Sequence, residues 1–193
     1  MKKKFLIVLV LAMILATGTA FADHPDGLGI GPVFTGGVNW GGGWGGPGLS
    51  LKIPGIPIFW GLTTSISSDH FGAGILGDYY FIHNPLAPEI NIHWYLGLGG
   101  WFNFFSYNNS TNYLGRNYSY SYTSVAFGIR APIGLSWQPF DWFEVFMDVA
   151  LSLGLYIESD GTYRFEGRTY TAHEGKTGFA WSIPFSVGAR FWF

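Results

Sequence analysis

The chain has no cysteine and few charged residues. Only 11% of its 193 residues are charged, against roughly a quarter in an ordinary soluble domain. Without cysteine it can form neither disulfide bonds nor a lipid-modified cysteine anchor. A soluble β-sandwich of this length needs a charged outer surface, which this composition does not supply. Acidic residues outnumber basic ones, 12 to 10, which argues against nucleic acid as a partner.

Long apolar runs are also scarce, and the only one lies near the N-terminus. Lysines at residues 2–4 precede twelve apolar residues, 5–16, and Ala20, Phe21 and Ala22 follow. Basic residues, a short apolar core and a small-x-small cleavage pattern predict a secretory signal peptide over residues 1–22. The run is too short for a membrane-spanning helix, which needs about 20 residues. Residues 23–193 are therefore expected to enter a membrane as β-strands or not at all.

What the chain does have is aromatic residues, 20% of the total, in strict alternation with small or polar residues. Within residues 177–193 every second residue is apolar, namely Phe179, Trp181, Ile183, Phe185, Val187, Ala189, Phe191 and Phe193. Successive side chains of a strand point to opposite faces, so the other face carries Arg190 and small residues. Such a strand suits the wall of a membrane barrel, with lipid outside and a filled interior.

The same period of two predicts eight strands, at residues 26–36, 46–54, 57–67, 70–82, 89–105, 119–138, 141–157 and 177–193. Short turns alternate with longer connections, and outer-membrane barrels place their short turns on the periplasmic side. The predicted fold is all-β: an eight-stranded antiparallel transmembrane β-barrel with short periplasmic turns and longer extracellular loops. The barrel would be a single domain, residues 23–193, after the signal peptide.

Charged residues on the predicted inner face balance, with three of each sign: Lys52, Asp78, Arg130, Glu144, Asp148 and Arg190. The interior of an eight-stranded barrel is just wide enough for side chains to fill it. Because an unpaired charge would be costly there, the balance predicts a lumen plugged by paired charges. We expect Arg130 and Arg190 to pair with Glu144 and Asp148, since Arg130 and Glu144 lie on strands joined by a short turn.

The third long connection, predicted as a loop over residues 106–118, is rich in tyrosine, serine and asparagine. Its candidate surface-recognition residues are Tyr107, Asn108, Asn109 and Tyr113. Tyrosine supplies contact area at little entropic cost, and small polar residues supply adaptable hydrogen bonds, as in protein-recognition loops. The alternative for Tyr118, Tyr120 and Tyr122 is an aromatic girdle at the membrane boundary.

Histidine and acidic residues do not form a recognisable catalytic pattern. His93, His173 and Glu174 could suggest an acyl hydrolase, but no serine stands at a matching position on a neighbouring predicted strand. The five histidines are scattered and lack metal-ligand spacing. The sequence therefore predicts a protein that is not an enzyme, with no cofactor and no metal.

Four segments carry a resemblance to a known group of proteins: residues 74–83, 94–100, 127–135 and 143–146. They resemble a family of small spirochaete outer-membrane barrels, similar in architecture to the OmpA, OmpX and OmpW barrels. The resemblance implies a bacterial outer-membrane location after signal-peptide-directed export. It supplies no catalytic residues. It also implies that Phe193, a terminal aromatic after an alternating strand, is an assembly signal read by the outer-membrane assembly machinery.

The function predicted from these features is that of a non-enzymatic integral outer-membrane protein of the adhesin or scaffold type. Its surface loops would contact external macromolecules, a host or matrix protein. Two alternatives stay open: an OmpW-like conduit for small hydrophobic molecules, and a lipid-modifying barrel enzyme. The other expected partners are outer-membrane lipid and the assembly machinery, with no nucleic acid, and the expected state is a monomer.

Overall fold

The computed structural model describes residues 27–40, 45–113, 116–165 and 168–193. The predicted signal peptide lies outside these residues. Within them the chain forms ten strands and one 3-10 helix, Pro88–Ile90. The strands are β1 Gly29–Trp40, β2 Gly46–Lys52, β3 Phe59–Ile66, β4 His70–Ala87, β5 Ile92–Tyr113, β6 Arg116–Phe140, β7 Phe143–Glu158, β8 Gly161–Phe165, β9 Arg168–His173 and β10 Lys176–Trp192. No helix in the described part of the chain has the length and apolarity needed to cross a membrane.

Eight of the strands close into a ring. Each of β1 to β7 pairs antiparallel with its sequence neighbour, except that β7 is followed in the ring by β10, which returns to β1. The two ends of the barrel chain meet there, because Leu28 N donates to Phe193 O over 3.1 Å and Phe193 N donates to Leu28 O over 2.9 Å. The predicted fold, an eight-stranded antiparallel transmembrane barrel, is confirmed.

The two faces of the wall divide as the alternation predicts. On β7 the outward side chains of Met147, Val149 and Leu151 are exposed, whereas Phe146 and Asp148 are buried. The same division runs along β10. Apolar side chains on the outside replace the charged surface of a soluble protein, so the outer wall is suited to lipid.

Strand β4 departs from simple alternation. It continues to Ala87 rather than ending at residue 82, and a bulge lies between Tyr80 and Ile82. A bulge inserts one extra residue and so changes which residues face inward. Consequently His83 pairs with Tyr95, whose side chain is buried in the interior. The His83 ring stacks on the His93 ring, with centroids 4.7 Å apart.

Two connections predicted as loops contain strands, and this part of the prediction is wrong. Strands β5 and β6 pair as far as Tyr113 and Arg116, well beyond the last pair of β4 with β5, His70 and Tyr107. The connection after β7 forms the hairpin β8–β9, and β8 pairs with β6. Tyrosine and threonine favour strands, so the composition read as a loop also fits a sheet. We call residues 106–113, 116–123, 161–165 and 168–173 the distal sheet.

Candidate functional site

All six charged residues predicted for the lumen lie inside the barrel and are buried: Lys52, Asp78, Arg130, Glu144, Asp148 and Arg190. They come from β2, β4, β6, β7 and β10. The pairing within this group differs in one respect from the expectation, because Arg130 does not contact Glu144 across the short turn. It lies instead between two aspartates from other strands.

Arg130 bridges Asp148 and Asp78. Its Nη2 donates to Asp148 Oδ1 over 3.0 Å, and its Nε lies 3.3 Å from Asp78 Oδ1. The second contact is ionic and lacks hydrogen-bond geometry, so neither of its two atoms has a hydrogen-bond partner within the described residues. The register explains how Asp78 reaches Arg130: both pair with Gly99, which lies between them. A Cβ at Gly99 would collide with the Asp78 carboxylate.

A second ion pair joins β10 to β7. Arg190 Nη1 donates to both oxygens of Glu144, at 3.2 and 3.1 Å, and Arg190 Nε donates to Ser50 Oγ at 2.8 Å. The indole of Trp192 donates to Glu144 Oε2 over 3.1 Å. The Arg190 guanidinium also lies 3.8 Å from the centroid of the Phe146 ring, a cation–π contact. This ion pair therefore has its charge and its hydrogen bonds satisfied by neighbours on three strands.

Aromatic rings fill the lumen around these charges. Phe59, Tyr80 and Tyr95 form a stack with centroid separations of 4.5 and 4.3 Å. The Tyr95 hydroxyl donates to Asp148 Oδ2 over 3.3 Å, passing the position of Gly134, where a Cβ would touch the phenol. Lys52 Nζ donates to Ile53 O and lies 5.6 Å from the Phe59 ring centroid. The stack and the ion pairs together block this part of the lumen.

Above the Arg130 bridge the lumen widens into a cavity of about 50 Å³. Its lining is more apolar than polar: Val38, Ile75, Leu76, Trp101 and Pro184 contribute together with Arg130, Thr35, Thr63, Asn103, Ser152 and Ser182. This volume has room for about three or four water molecules. The recess reaches the charged plug at Arg130, and a smaller cavity of about 20 Å³ lies among the plug side chains of Asp78, Asp148 and Arg190.

The distal sheet presents an aromatic face towards the barrel axis. The β6 ladder runs without a register shift from Tyr118 to Trp137, so Tyr118, Tyr120 and Tyr122 share the face of the buried Arg130. The ring of Tyr107 lies 6.0 Å from that of Tyr120 and 5.5 Å from that of Tyr122. The girdle interpretation of these tyrosines is wrong, because a girdle would lie on the lipid-facing side.

The candidate recognition residues lie on a strand rather than in a loop. Tyr107, Asn108, Asn109 and Tyr113 all belong to β5. Asn108 and Asn109 are exposed, and Asn109 Nδ2 donates to the Tyr107 hydroxyl over 3.1 Å. Stacked ring pairs continue across the sheet, Tyr118 on Phe165 at 4.9 Å and Tyr163 on Tyr170 at 5.0 Å. The backbone ladder therefore holds Tyr107, Asn108 and Asn109 in a fixed order along β5.

The histidines considered for catalysis lie at opposite ends of the barrel. His93 stacks on His83 beside the short turns, whereas His173 lies on the distal sheet. His173 Nδ1 lies 3.1 Å from the Tyr120 hydroxyl, and its Nε2 lies 2.9 Å from Glu158 Oε1. Glu174 follows β9 and is exposed. No cluster of three metal-ligating side chains occurs among the described residues.

The connection between β3 and β4 carries a smaller polar cluster. His70 Nδ1 lies 3.0 Å from Asp69 Oδ1, and His70 Nε2 lies 3.0 Å from Ser65 Oγ. The hydrogen bond from His70, with a second from Ser67, holds the pKa of Asp69 below its ordinary value. The His70 ring stacks on the Phe105 ring, with centroids 5.5 Å apart. This cluster therefore packs against β5 next to the distal sheet.

Phe193, the predicted assembly signal, is exposed at the end of the chain. Its backbone is fixed by the two hydrogen bonds to Leu28. The side chain continues the apolar outer face of β10, which ends at Trp192. No described contact of the folded barrel requires the ring itself.

Comparison with known proteins shows the family. Residues 46–179 match the model of the family described as protein of unknown function (DUF3996), and the chain belongs to that family. No curated protein matches the sequence.

Two solved structures are similar to the chain. One is a major outer membrane protein from Thermus thermophilus, 15% identical, covering 86% of this chain and 98% of that one, with a TM-score of 0.42. The other is Ail, the attachment invasion locus protein of Yersinia pestis, 13% identical, covering 86% of this chain and 97% of that one, with a TM-score of 0.37. At these values neither similarity carries an argument about function.

Proposed function

We propose that the protein is a non-enzymatic barrel of the bacterial outer membrane whose distal sheet contacts an external macromolecule, such as a host or matrix protein. One observation carries the proposal: β5 and β6 continue past the end of β4, and β8 and β9 join them in an exposed sheet. Ring closure does not need this extension. A structured surface that the barrel does not need is a candidate for function.

Orientation follows from the connections. The turns at the end opposite the distal sheet are short, with β6 and β7 separated only by Asp141 and Trp142. Outer-membrane barrels place such turns in the periplasm, and this supports an extracellular position for the distal sheet. Its exposed residues are mostly tyrosine, threonine, serine and asparagine, a composition suited to adaptable contacts with protein. The proposed resemblance to small spirochaete barrels agrees with this location.

The blocked lumen supports contact rather than transport. Ion pairs and stacked rings occupy the interior, and the recess above them ends at Arg130. Small molecules would have to displace buried charges to pass, and this displacement is costly.

A conduit for small hydrophobic molecules is the second candidate, and one observation favours it. The outer wall has an apolar groove of about 600 Å³ beside Gly77 and Gly100, and Leu76 and Trp101 line both this groove and the internal recess. The Trp101 indole donates to Ile129 O over 3.1 Å and so is fixed in the wall. If the groove is a lateral port, Trp101→Ala should change the uptake of a hydrophobic dye, and changes in the distal sheet should not.

Attachment of cells tests the proposal. Bacterial cells displaying the wild-type protein are compared with cells displaying a trimmed variant, in which residues 107–113 and 162–172 are replaced by glycine and serine. Surfaces coated with purified matrix proteins and with serum proteins serve as probes. We expect the trimmed barrel to lose attachment, while a control with substitutions at residues 67–68 keeps it. Unchanged attachment of the trimmed barrel, with normal membrane levels, contradicts the proposal.

A further inference from the structure

The distal sheet has a free edge. Its strand order is β5-β6-β8-β9, and among the residues that the structure describes β9 pairs only with β8. Residues 168–172 of β9 are exposed. Neighbouring residues of a strand direct their backbone groups to opposite sides, so alternate N–H and C=O groups of β9 point away from the sheet. Such a row is a template for pairing with another strand.

A second edge of the distal sheet lies on β5, beyond its last ladder pair with β4 at Tyr107, and there Asn108 N donates to Asp69 O over 2.8 Å. The two edges differ in sequence. The β5 edge begins with Asn108, Asn109 and Ser110, whereas β9 reads Arg-Thr-Tyr-Thr-Ala-His. Threonine and tyrosine favour strands and asparagine does not. Proline and lysine, which protect natural sheet edges, are absent from β9. The edge on β9 is therefore the better template.

We propose that β9 binds an extended segment of the external partner by adding it to the distal sheet as an antiparallel strand. This inference rests on the proposed function and specifies its mode of recognition. In this mode backbone hydrogen bonds supply affinity, and side chains supply register.

A second copy of the chain in the same membrane does not fit this edge. Two copies stand in the membrane with the same orientation, and a two-fold axis along the membrane normal relates them. Strands tilted by about 40° from that axis would cross at about 80° after the rotation, so two β9 strands could not align as neighbours in one sheet. The occupant we propose is therefore a separate protein.

Charge defines the partner segment further. Arg168 begins β9, and Glu174 follows its last residue; both are exposed. An antiparallel partner places its C-terminal end beside Arg168 and its N-terminal end beside Glu174. The complementary segment therefore has a basic residue first, a run of strand-forming residues, and an acidic residue last.

A synthetic peptide tests the pairing. The probe is the capped peptide Lys-Thr-Val-Thr-Val-Thr-Glu, whose length matches residues 168–174 of the chain. Its charge-reversed form, with Glu first and Lys last, is the control. Amide hydrogen exchange of the full folded chain in detergent micelles is measured while each peptide is added. At 90% occupancy we expect the outward amides of β9 to exchange about tenfold more slowly, and amides of residues 108–113 to stay unchanged.

Backbone methylation separates ladder pairing from side-chain contact. The peptide is N-methylated at one set of alternate residues or at the other set. Since only one set faces β9, we expect one methylated form to lose binding and the other to retain it. Equal behaviour of the two forms, or no slowing on β9 with the parent peptide up to its solubility limit, overturns the proposal.

Matched variants place the site on the protein. A Thr169→Lys/Thr171→Lys variant should lose the slowing on β9, and Ser110→Lys, on the β5 edge, should keep it. In the attachment assay the same variants separate the two proposals. If the trimmed barrel loses attachment while the lysine variant of β9 attaches normally, the proposed function stands and edge pairing is wrong. If the trimmed barrel still attaches, the proposed function itself is wrong.

Discussion

Replacing Arg130 by methionine removes the single cation that lies between two buried carboxylates. Arg130 is 2% exposed and lies 3.0 Å from Asp148 Oδ1 and 3.3 Å from Asp78 Oδ1. Methionine leaves both carboxylates buried without their counter-ion. Breaking a buried pair by removing one partner costs about 3–5 kcal/mol. We expect Arg130→Met to lower the free energy of unfolding by about this amount.

Second-site changes identify the partner. Adding Asp148→Asn to Arg130→Met removes one stranded carboxylate and should restore about 1–3 kcal/mol, the usual coupling between contacting residues. Adding Glu144→Gln should restore none of it, because Glu144 pairs with Arg190. Arg164→Met is the control, because it replaces an arginine by methionine at an exposed position on β8.

Urea unfolding in phospholipid vesicles, followed by tryptophan fluorescence, measures these free energies. Two results would refute the reasoning. If Arg130→Met is no more costly than Arg130→Met/Asp148→Asn, no stranded charge exists in the lumen. If Glu144→Gln restores stability and Asp148→Asn does not, Arg130 pairs across the short turn after all.

Three further predictions concern the wall. Gly99→Ala should destabilise the barrel by about 1–3 kcal/mol, because the new Cβ would collide with backbone atoms and with the Asp78 carboxylate. Gly100→Ala is the control and should be nearly neutral, because the atom nearest to its Cβ would be 3.6 Å away. Equal costs of the two substitutions in vesicle unfolding would contradict this prediction. Leu151→Arg should cost about 2–4 kcal/mol if Leu151 faces lipid near the midplane, and no cost would overturn the face assignment. Deleting Phe193 should reduce the amount of barrel in the outer membrane, and normal levels by immunoblotting would rule out its role in assembly.

Period-two alternation was sufficient to predict the closed barrel and the inner face. On β7 and β10 every second residue is apolar, and no register shift interrupts the pairing of these two strands, so counting by two identifies Glu144, Asp148 and Arg190 as inward. The same counting placed Asp78 inside. The partner of Asp78, Arg130, could not be predicted. The contact between them depends on the register of β4 on β5 and of β5 on β6, and on the absence of a side chain at Gly99.

The distal sheet was missed for a different reason. Residues 106–122 are rich in tyrosine, serine and asparagine, and this composition is shared by recognition loops and by polar strands. The alternation Tyr118, Ser119, Tyr120, Ser121, Tyr122 was a signal for a strand. Strand β6 pairs with β8 through residues that lie 41 to 47 positions apart in sequence, and such non-local pairing has no local signature.

Conductance across a planar bilayer most directly tests the claim that the protein works by contact and not by passage through its lumen. The folded wild-type barrel is predicted to show no large, stable conductance step, because ion pairs and the Phe59, Tyr80 and Tyr95 stack fill the interior. The control is a Tyr80→Ala/Tyr95→Ala variant, whose lumen is opened by the loss of two of the three stacked rings. Sustained porin-like conductance of the wild-type protein would contradict the central claim.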